Sequence, residues 1–527
     1  MKKRILLSSS VGVLLLLGAL HLNLFSFANS GKFLSFFSIA YEENTKAADD
    51  SQGQMNFLTS SNALSMPCAG NAGDIGGTVF QDAENDGEKL GNPGQPGIVV
   101  RVFDCSGAEV SGSPTITDSN GDWTITGLTV NEEYQVEFTF PADGSLDYLQ
   151  PSITGIDNGS DVQFVSPMMS DCTVDYGVFD PSYCTTTAPD LIVPCYVNGN
   201  PLPTGNEAYN QPALIKIPYA PPGDEGGSIS IAQSHEIGSV YGVAQHRRAK
   251  KVFVGAVLRR HMGFGPDGSG AIYVMDEDGS NLSLFLDLNQ GGISTGNITR
   301  DVSTGGTNPS RDADAFDGVG KTSLGDIELS ADEQTLWVMN LEERTLLEIP
   351  LGNDPDDPTA PAIGSVIEHA WPNPGCTNGV FRAWGLKFYQ GQIYIGGVCT
   401  AENSGSPANL VSYVYAHDPA GVNGNWSQVV AITDMDHDRG FAIDIDMLPS
   451  DWQAWSDTWP SVSGLGGINN YVYQPQPILS DIEITREGNM ILGFMDRFVL
   501  SIVMHGTFWD GKPKRIEKTG HNIKVVR

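Results

Sequence analysis

Short runs in which apolar and polar residues alternate, each closed by Gly, Asp, Asn or Pro, recur from residue 73 to residue 498. Between residues 77 and 180 they read GTVF, IVVRVFD, WTITGL, YQVEFTF and VDYGVFD. The partial period-two alternation is that of half-buried strands, and the turn residues between the runs keep each strand separate. About seven strands in roughly 105 residues predict a small β-sandwich over residues 70–180.

Residues 181–211 are rich in Thr, Pro, Gly and Asn, a composition that predicts an extended connector. A second β-rich region follows over residues 212–498 and carries a weak internal repeat. Residues 324–340 (LGDIELSADEQTLWVMN), 383–398 (AWGLKFYQGQIYIGGV) and 479–496 (LSDIEITREGNMILGFMD) each read strand, turn, strand, and an earlier copy spans residues 238–258. A strand-turn-strand unit that recurs with further strands behind it is the pattern of a β-propeller blade, whose faces must be covered by its neighbours. An ordinary sandwich with coincidental hairpins is the competing expectation.

The two ends differ from this pattern. Lys2, Lys3 and Arg4 precede an apolar run over residues 11–20, with small residues at Ala28 and Ser30, the layout of a secretory signal peptide over residues 1–30. The apolar run is short for a membrane span, so no membrane insertion is expected after cleavage. Residues 31–69 are polar and irregular and are expected to be a flexible leader. Residues 499–527 hold six Lys or Arg against two acids and lack turn patterning. This basic tail is expected to be foreign to the fold, leaving the propeller unclosed.

Composition narrows the function classes. The 29 basic and 63 acidic residues give a net charge of −34, which argues against nucleic acid or anionic lipid as partner. Seven cysteines fit an oxidising compartment, and the absence of a CxxC pair argues against a zinc ribbon. Cys184 with Cys195, and Cys376 with Cys399, are each spaced to close a short segment. Cys68, Cys105 and Cys172 leave one thiol over.

In residues 73–107 and 117–139 the sequence resembles the B-type domain of serine-aspartate repeat surface proteins (SdrD B-like). Asp82, Glu84, Asp86 and Gly87 match its acidic opening, Pro96, Gly97 and Ile98 its middle, and Asp118, Gly121 and Trp123 its late motif. The resemblance implies an Ig-like β-sandwich that serves bacterial surface proteins as a rigid spacer or adhesive module, with an acidic loop able to hold Ca²⁺. Where the family usually carries a further carboxylate, this chain has Leu90. The fold class expected for the whole chain is therefore all-β, an Ig-like β-sandwich followed by a β-propeller-like domain.

The candidate metal ligands are Asp82, Glu84, Asp86 and Glu88. Carboxylates at alternate positions around a Gly-permitted turn can converge on one Ca²⁺, which takes six to eight oxygens. A solvated acidic turn is the other reading of the same residues. Three further acidic clusters, Asp276-Glu277-Asp278, Asp312 with Asp314 and Asp317, and Asp434 with Asp436, His437 and Asp438, are read as exposed turns; the spacing of the second also suits a metal, and the last could hold a metal or supply an acid and a base. The pair His235-Glu236 lacks the second His of a zincin, and no nucleophile elbow or P-loop occurs. Trp452, Trp455 and Trp459, with Tyr471 and Tyr473, are read as packing residues, with stacking on sugar rings as the functional alternative. These readings converge on an exported cell-surface or extracellular adhesion or structural protein. A sandwich stalk would carry a propeller-like head that presents loops to an extracellular glycan or protein. A secreted propeller-type hydrolase or lyase acting on polysaccharide is the alternative.

Overall fold

A computed structural model describes residues 70–497 except 83–84, 90–91, 168, 182–189, 219–226, 307–309, 353, 355, 390, 420–424, 436–450, 459–473 and 486–488. It also describes the strand backbones of Ser38–Ala40 and Gly520–Val526. The chain divides into two compact units, one built on residues 47–186 and the other on most of the remaining chain.

The first unit is the predicted sandwich. One sheet runs in the order Asp122–Ile125, Asp74–Gln81, Tyr176–Phe179, Gln150–Pro151, with Ser170–Asp171 also paired to Asp74–Gln81. The other runs Thr115–Ile116, Val99–Asp104, Tyr134–Thr139, Val162–Val165. The alternation read in the sequence decides which side chains face inward. In Tyr134–Thr139 the residues Tyr134, Val136 and Phe138 are buried while those between them are half-exposed. Trp123 meets Phe138 edge to face at 5.8 Å, and Phe138 stacks on Tyr176 at 4.7 Å, joining the two sheets through their aromatic cores.

The second unit contains five sheets among the described residues. Sheet I is Asp190–Pro194, Pro212–Pro218 and Ile229–Gln233; sheet II is Val240–His246, Lys251–Ala256, Ala271–Asp276 and Ser283–Asp287. Sheet III is Leu324–Leu329, Thr335–Asn340, Thr345–Pro350 and Ile367–Ala370; sheet IV is Phe381–Tyr389, Gln392–Cys399, Val411–His417 and Trp426–Ile432. Sheet V joins Pro477–Ile484, Met490–Asp496, Gly520–Val526 and Ser38–Ala40. Sheets II, III and IV are meanders of successive strands, the order of a propeller blade.

The first strands of sheets II to V lie side by side about one axis. A Cβ added at Gly242 would stand 2.8 Å from the Ile327 nitrogen, and one at Gly385 2.9 Å from the Asp481 nitrogen, so sheets II and III, and IV and V, approach at backbone distance. The Leu386 amide donates to the Asp326 carboxylate at 3.1 Å, joining III to IV. The Tyr241 hydroxyl donates to the Ser480 carbonyl at 3.4 Å, joining II to V. Burial follows the same axis. The second strands Lys251–Ala256 and Thr335–Asn340 are buried on both faces beyond their first residue, whereas the fourth strand Trp426–Ile432 is mostly exposed. Neighbouring sheets cover the inner strands, and solvent wets the rim. Ala244, Phe253, Ile327 and Val338 share a core between sheets II and III. Trp337, Trp384, Leu386, Ile482 and Phe494 share one among sheets III, IV and V.

Three expectations change. The connector expected over residues 181–211 contains Asp190–Pro194, which pairs antiparallel with Pro212–Pro218. The apolar run Leu191-Ile192-Val193 holds a strand inside a stretch whose composition looked extended. The tail expected to lie outside the fold contributes Gly520–Val526, paired antiparallel with Met490–Asp496. Its β-branched Ile523, Val525 and Val526 favour a strand despite the change in charge. The segment expected as a leader contributes Ser38–Ala40, paired parallel with that strand.

Candidate functional site

The inner-strand ring is charged at both ends. At one end the repeat places Asp326-Ile327-Glu328 in sheet III and Asp481-Ile482-Glu483 in sheet V, with Gly385-Leu386-Lys387 at the matching positions of sheet IV. Strand periodicity turns both isoleucines into the core and brings each Asp and Glu to the opposite face. Lys387 reaches Glu483 at 3.3 Å and Glu328 at 3.6 Å. Burial pushes Asp326, Glu328 and Asp481 above the usual carboxylate range, and it pushes Glu483 up to about 7 against the pull of Lys387. Burial works against the Lys387 ammonium too, but Glu328, Glu483 and Asp481 outweigh it and hold the charge on. This cluster is closed, and its chemistry is that of a buried ion network pinning three strands together.

At the other end the chain enters the inner strands, and a cleft of about 520 Å³ opens there. Asn297, Thr299, Asp314, Asp317 and Lys321 line it from the connection between sheets II and III, Arg382 from the start of the first strand of sheet IV, and Asp457 from the connection to sheet V. Glu342, in the turn after Thr335–Asn340, completes the wall. Lys321 pairs with Asp457 at 2.6 Å and with Glu402 at 3.6 Å. Arg382 donates one guanidinium N–H to the Leu341 carbonyl at 3.3 Å, and its buried Nε has no hydrogen-bond partner among the described residues.

Arg497 braces the rim. Its guanidinium is buried, donates to the carbonyls of Phe316, Asp317, Val319 and Ser456, and lies 4.7 Å from the Trp455 ring centre. It also pairs with Asp457 at 3.2 Å. Burial lowers its pKa to about 10, which leaves it charged at neutral pH. The disulfide Cys376–Cys399, one of the two spaced pairs in the sequence, ties the loop before the first strand of sheet IV to the end of its second strand.

The residues singled out in the sequence are dispersed. Asp82 is fully buried and accepts hydrogen bonds from the amides of Asp86 at 3.0 Å and Gly87 at 2.7 Å, and from the Ser152 hydroxyl. The Asp86 carboxylate accepts from the Glu88 amide at 3.1 Å, Glu88 is exposed, and Glu84 lies outside the described residues. Among the described residues no group of three or more metal-ligating side chains is assembled. Asp312, expected in an exposed turn, is buried: Arg300 binds it at 2.7 Å and the His261 amide at 2.8 Å. Burial alone would raise its carboxyl, but the Arg300 bonds outweigh it and hold it low. Asp314 and Asp317 line the cleft. Asp276 and Asp278 cap a hairpin turn through Ser280 and Asn281. Glu236 accepts from the Gln233 amide at 2.6 Å, and His235 stacks on Tyr209. Asp434 is exposed, while Asp436, His437 and Asp438 lie outside the described residues. Trp452 and Trp455 are core residues, as read from the sequence, and Trp459, Tyr471 and Tyr473 lie outside the described residues.

The same holds for the cysteines. Cys172 is disulfide-bonded, Cys105 is an exposed thiol, and Cys184 lies outside the described residues. Sequence reasoning passed over Lys321, Arg382, Lys387 and Arg497. The available signal was that each lies within a few residues of a strand of the recurring hairpin, in KTSLGD, FRAWGLK and FMDR.

An Ig-like sandwich and a separate set of blade-like sheets define a β-sandwich domain and a propeller-like domain. Residues 73–185 match the SdrD B-like domain family, and the sandwich is such a domain. Over most of its length the chain is similar to Colossin-C of Dictyostelium discoideum, at 26% identity across 82% of this chain and 41% of that protein. Colossin-B of the same organism is 23% identical across 81% of this chain and 10% of its own length. The chain thus spans less than half the length of these relatives. Among solved structures, a periplasmic gluconolactonase of Pseudomonas aeruginosa covers 82% of this chain and 99% of its own, at 10% identity and a TM-score of 0.27. A putative 6-phosphogluconolactonase of Bacteroides uniformis covers 75% and 89%, at 13% identity and a TM-score of 0.26. No described helix is long and apolar enough to cross a membrane.

Proposed function

We propose that this is an exported cell-surface or extracellular adhesion or structural protein. Its SdrD B-like sandwich is the spacer, and its propeller-like domain binds an extracellular, polyhydroxylated ligand in the cleft between Lys321 and Arg382. The observation that carries the reading is the cleft itself. It is lined by side-chain donors and acceptors of both signs, from Lys321 and Arg382 to Asp314, Asp317 and Asp457. Sugar hydroxyls both donate and accept, so they match such a wall, whereas an apolar ligand would leave its polar groups unpaired. A glycan array probed with the full chain tests this. Binding to one glycan class, weakened at least about tenfold in both Lys321→Ala and Arg382→Ala with unchanged melting, supports it. No glycan bound, or binding indifferent to both substitutions, overturns it.

Ca²⁺ at the acidic turn of the sandwich belongs to the same proposal, as a stiffener of the spacer held by Asp82, Glu84, Asp86 and Glu88. Melting of the full chain in millimolar Ca²⁺ against chelator tests it. A raised transition of the sandwich supports the ion, and identical curves end the idea.

A further inference from the structure

The turn that follows the second strand of sheet II carries Arg259, Arg260 and His261. Arg259 is 6% exposed, and its Nε makes no hydrogen bond among the described residues. No carboxylate pairs with it among the described residues. Its ionisable neighbours are the Tyr196 and Tyr241 phenols and the Cys195 thiol, with the Tyr196 ring centre 6.0 Å from the guanidinium carbon. Phenols are neutral at physiological pH and leave the guanidinium charge uncompensated.

A second guanidinium touches the same turn. Arg300 donates to the carbonyls of Arg259 at 2.8 Å and Met262 at 2.7 Å, and it pairs with Asp312 at 2.7 Å. Its Nη1 is buried and has no hydrogen-bond partner among the described residues. Arg260 spends its donors on the carbonyls of Asp312 and Arg311, at 2.9 and 2.7 Å. Arg259 and Arg300 therefore have one buried carboxylate, Asp312, between them among the described residues, in a chain whose net charge is −34. A buried guanidinium without a counter-charge is among the costlier arrangements in a folded protein. Its forked N–H groups fit one partner best, a planar or tetrahedral oxyanion.

We infer that Arg259 and Arg300 form an oxyanion-binding site, in which Arg259 is the charge anchor and Arg300 Nη1 the second donor. The ligand is a carboxylate, sulfate or phosphate group, free or carried on a larger molecule. The site stands on the Arg259 turn and not on the Lys321–Arg382 cleft, so either can fail alone.

Titration calorimetry on the full chain, with sulfate, inorganic phosphate or glucuronate at matched ionic strength and glucose as the neutral control, tests it. The expected result is saturable binding of at least one oxyanion and none of glucose. Arg259→Gln should weaken it at least about tenfold, and Arg259→Lys, which keeps the charge and loses the fork, by a smaller factor. Arg101→Gln, in the sandwich, should leave it unchanged. The ranking of the three anions tells inorganic ions from an acidic sugar. Absence of saturable binding by all three, or equal affinity in wild type and Arg259→Lys together with Arg259→Gln, overturns the inference. If Arg259→Gln does not fold, the wild-type titration and Arg259→Lys decide it.

Discussion

The two ends of the inner-strand ring hold similar charges and behave differently. At one end Lys387 sits among Glu328, Glu483 and Asp481, with Asp326 beside Asp481 and Glu328, all of them largely shielded from water. At the other, Lys321 and Arg382 face Asp457, Glu342, Asp314 and Asp317 across an open cleft. The first set perturbs the acidity of every carboxyl in it, because burial penalises each charge and the single ammonium cannot satisfy all of them. In the second, water screens the pairs. Charged residues alone do not mark a binding site; solvent access separates a structural ion network from a surface that can take a ligand.

The largest effect is expected from breaking the closed end. Lys387→Met strands several buried carboxylates and should destabilise the propeller-like unit by about 3–5 kcal/mol, read by denaturant unfolding. Adding Glu328→Leu and Glu483→Leu to it should recover much of that loss. A single-variant loss below about 1 kcal/mol would mean that the network does not hold the strands. Arg497→Met should cost about 3 kcal/mol, because it removes the donor to the carbonyls of Phe316, Asp317 and Val319 and releases the cleft rim.

The next effect is on pH dependence. Glu483 binds its proton more tightly in the folded chain than in the unfolded one, since its carboxyl is raised to about 7 by burial. Its contribution is therefore complete below the unfolded carboxylate range and is lost as pH rises through about 7. Melting followed from pH 4 to pH 8 should show the propeller-like transition falling across this window, by no more than about 3 kcal/mol from this group. Glu483→Gln should flatten the fall; an unchanged slope would place the titration elsewhere. The smallest effect belongs to the open end, where Lys321→Ala should change stability by less than about 1 kcal/mol while weakening ligand binding. A larger loss of stability would make the cleft structural, like its counterpart.

The sandwich was the more legible half. Its alternation, turn residues and motif run over consecutive positions, so Tyr134, Val136 and Phe138 fall on one buried face of their strand from period two alone. In the second unit the hairpins at residues 324–340, 383–398 and 479–496 were visible, and they became second and first strands of sheets III to V. The acidic clusters misled where charge was read as exposure. Asp312 looks like Asp314 and Asp317 in the sequence, yet Arg300, twelve residues away in the chain, draws it into the interior. Composition hid strands as well, at Asp190–Pro194 among Pro and Gly and at Gly520–Val526 among Lys and Arg.

Local sequence by itself determined that the chain is all-β, where the sandwich lies, and that a strand-turn-strand unit recurs. These properties depend on side-chain period and turn chemistry within a few consecutive residues. Tertiary structure decided which charges are buried, because Lys387 meets Glu483 and Arg497 meets Phe316 only once distant segments pack together. It also decided that Lys321 and Arg382, unremarkable in their own neighbourhoods, face one cleft. Burial depends on what covers a strand, and the covering segments lie far along the chain.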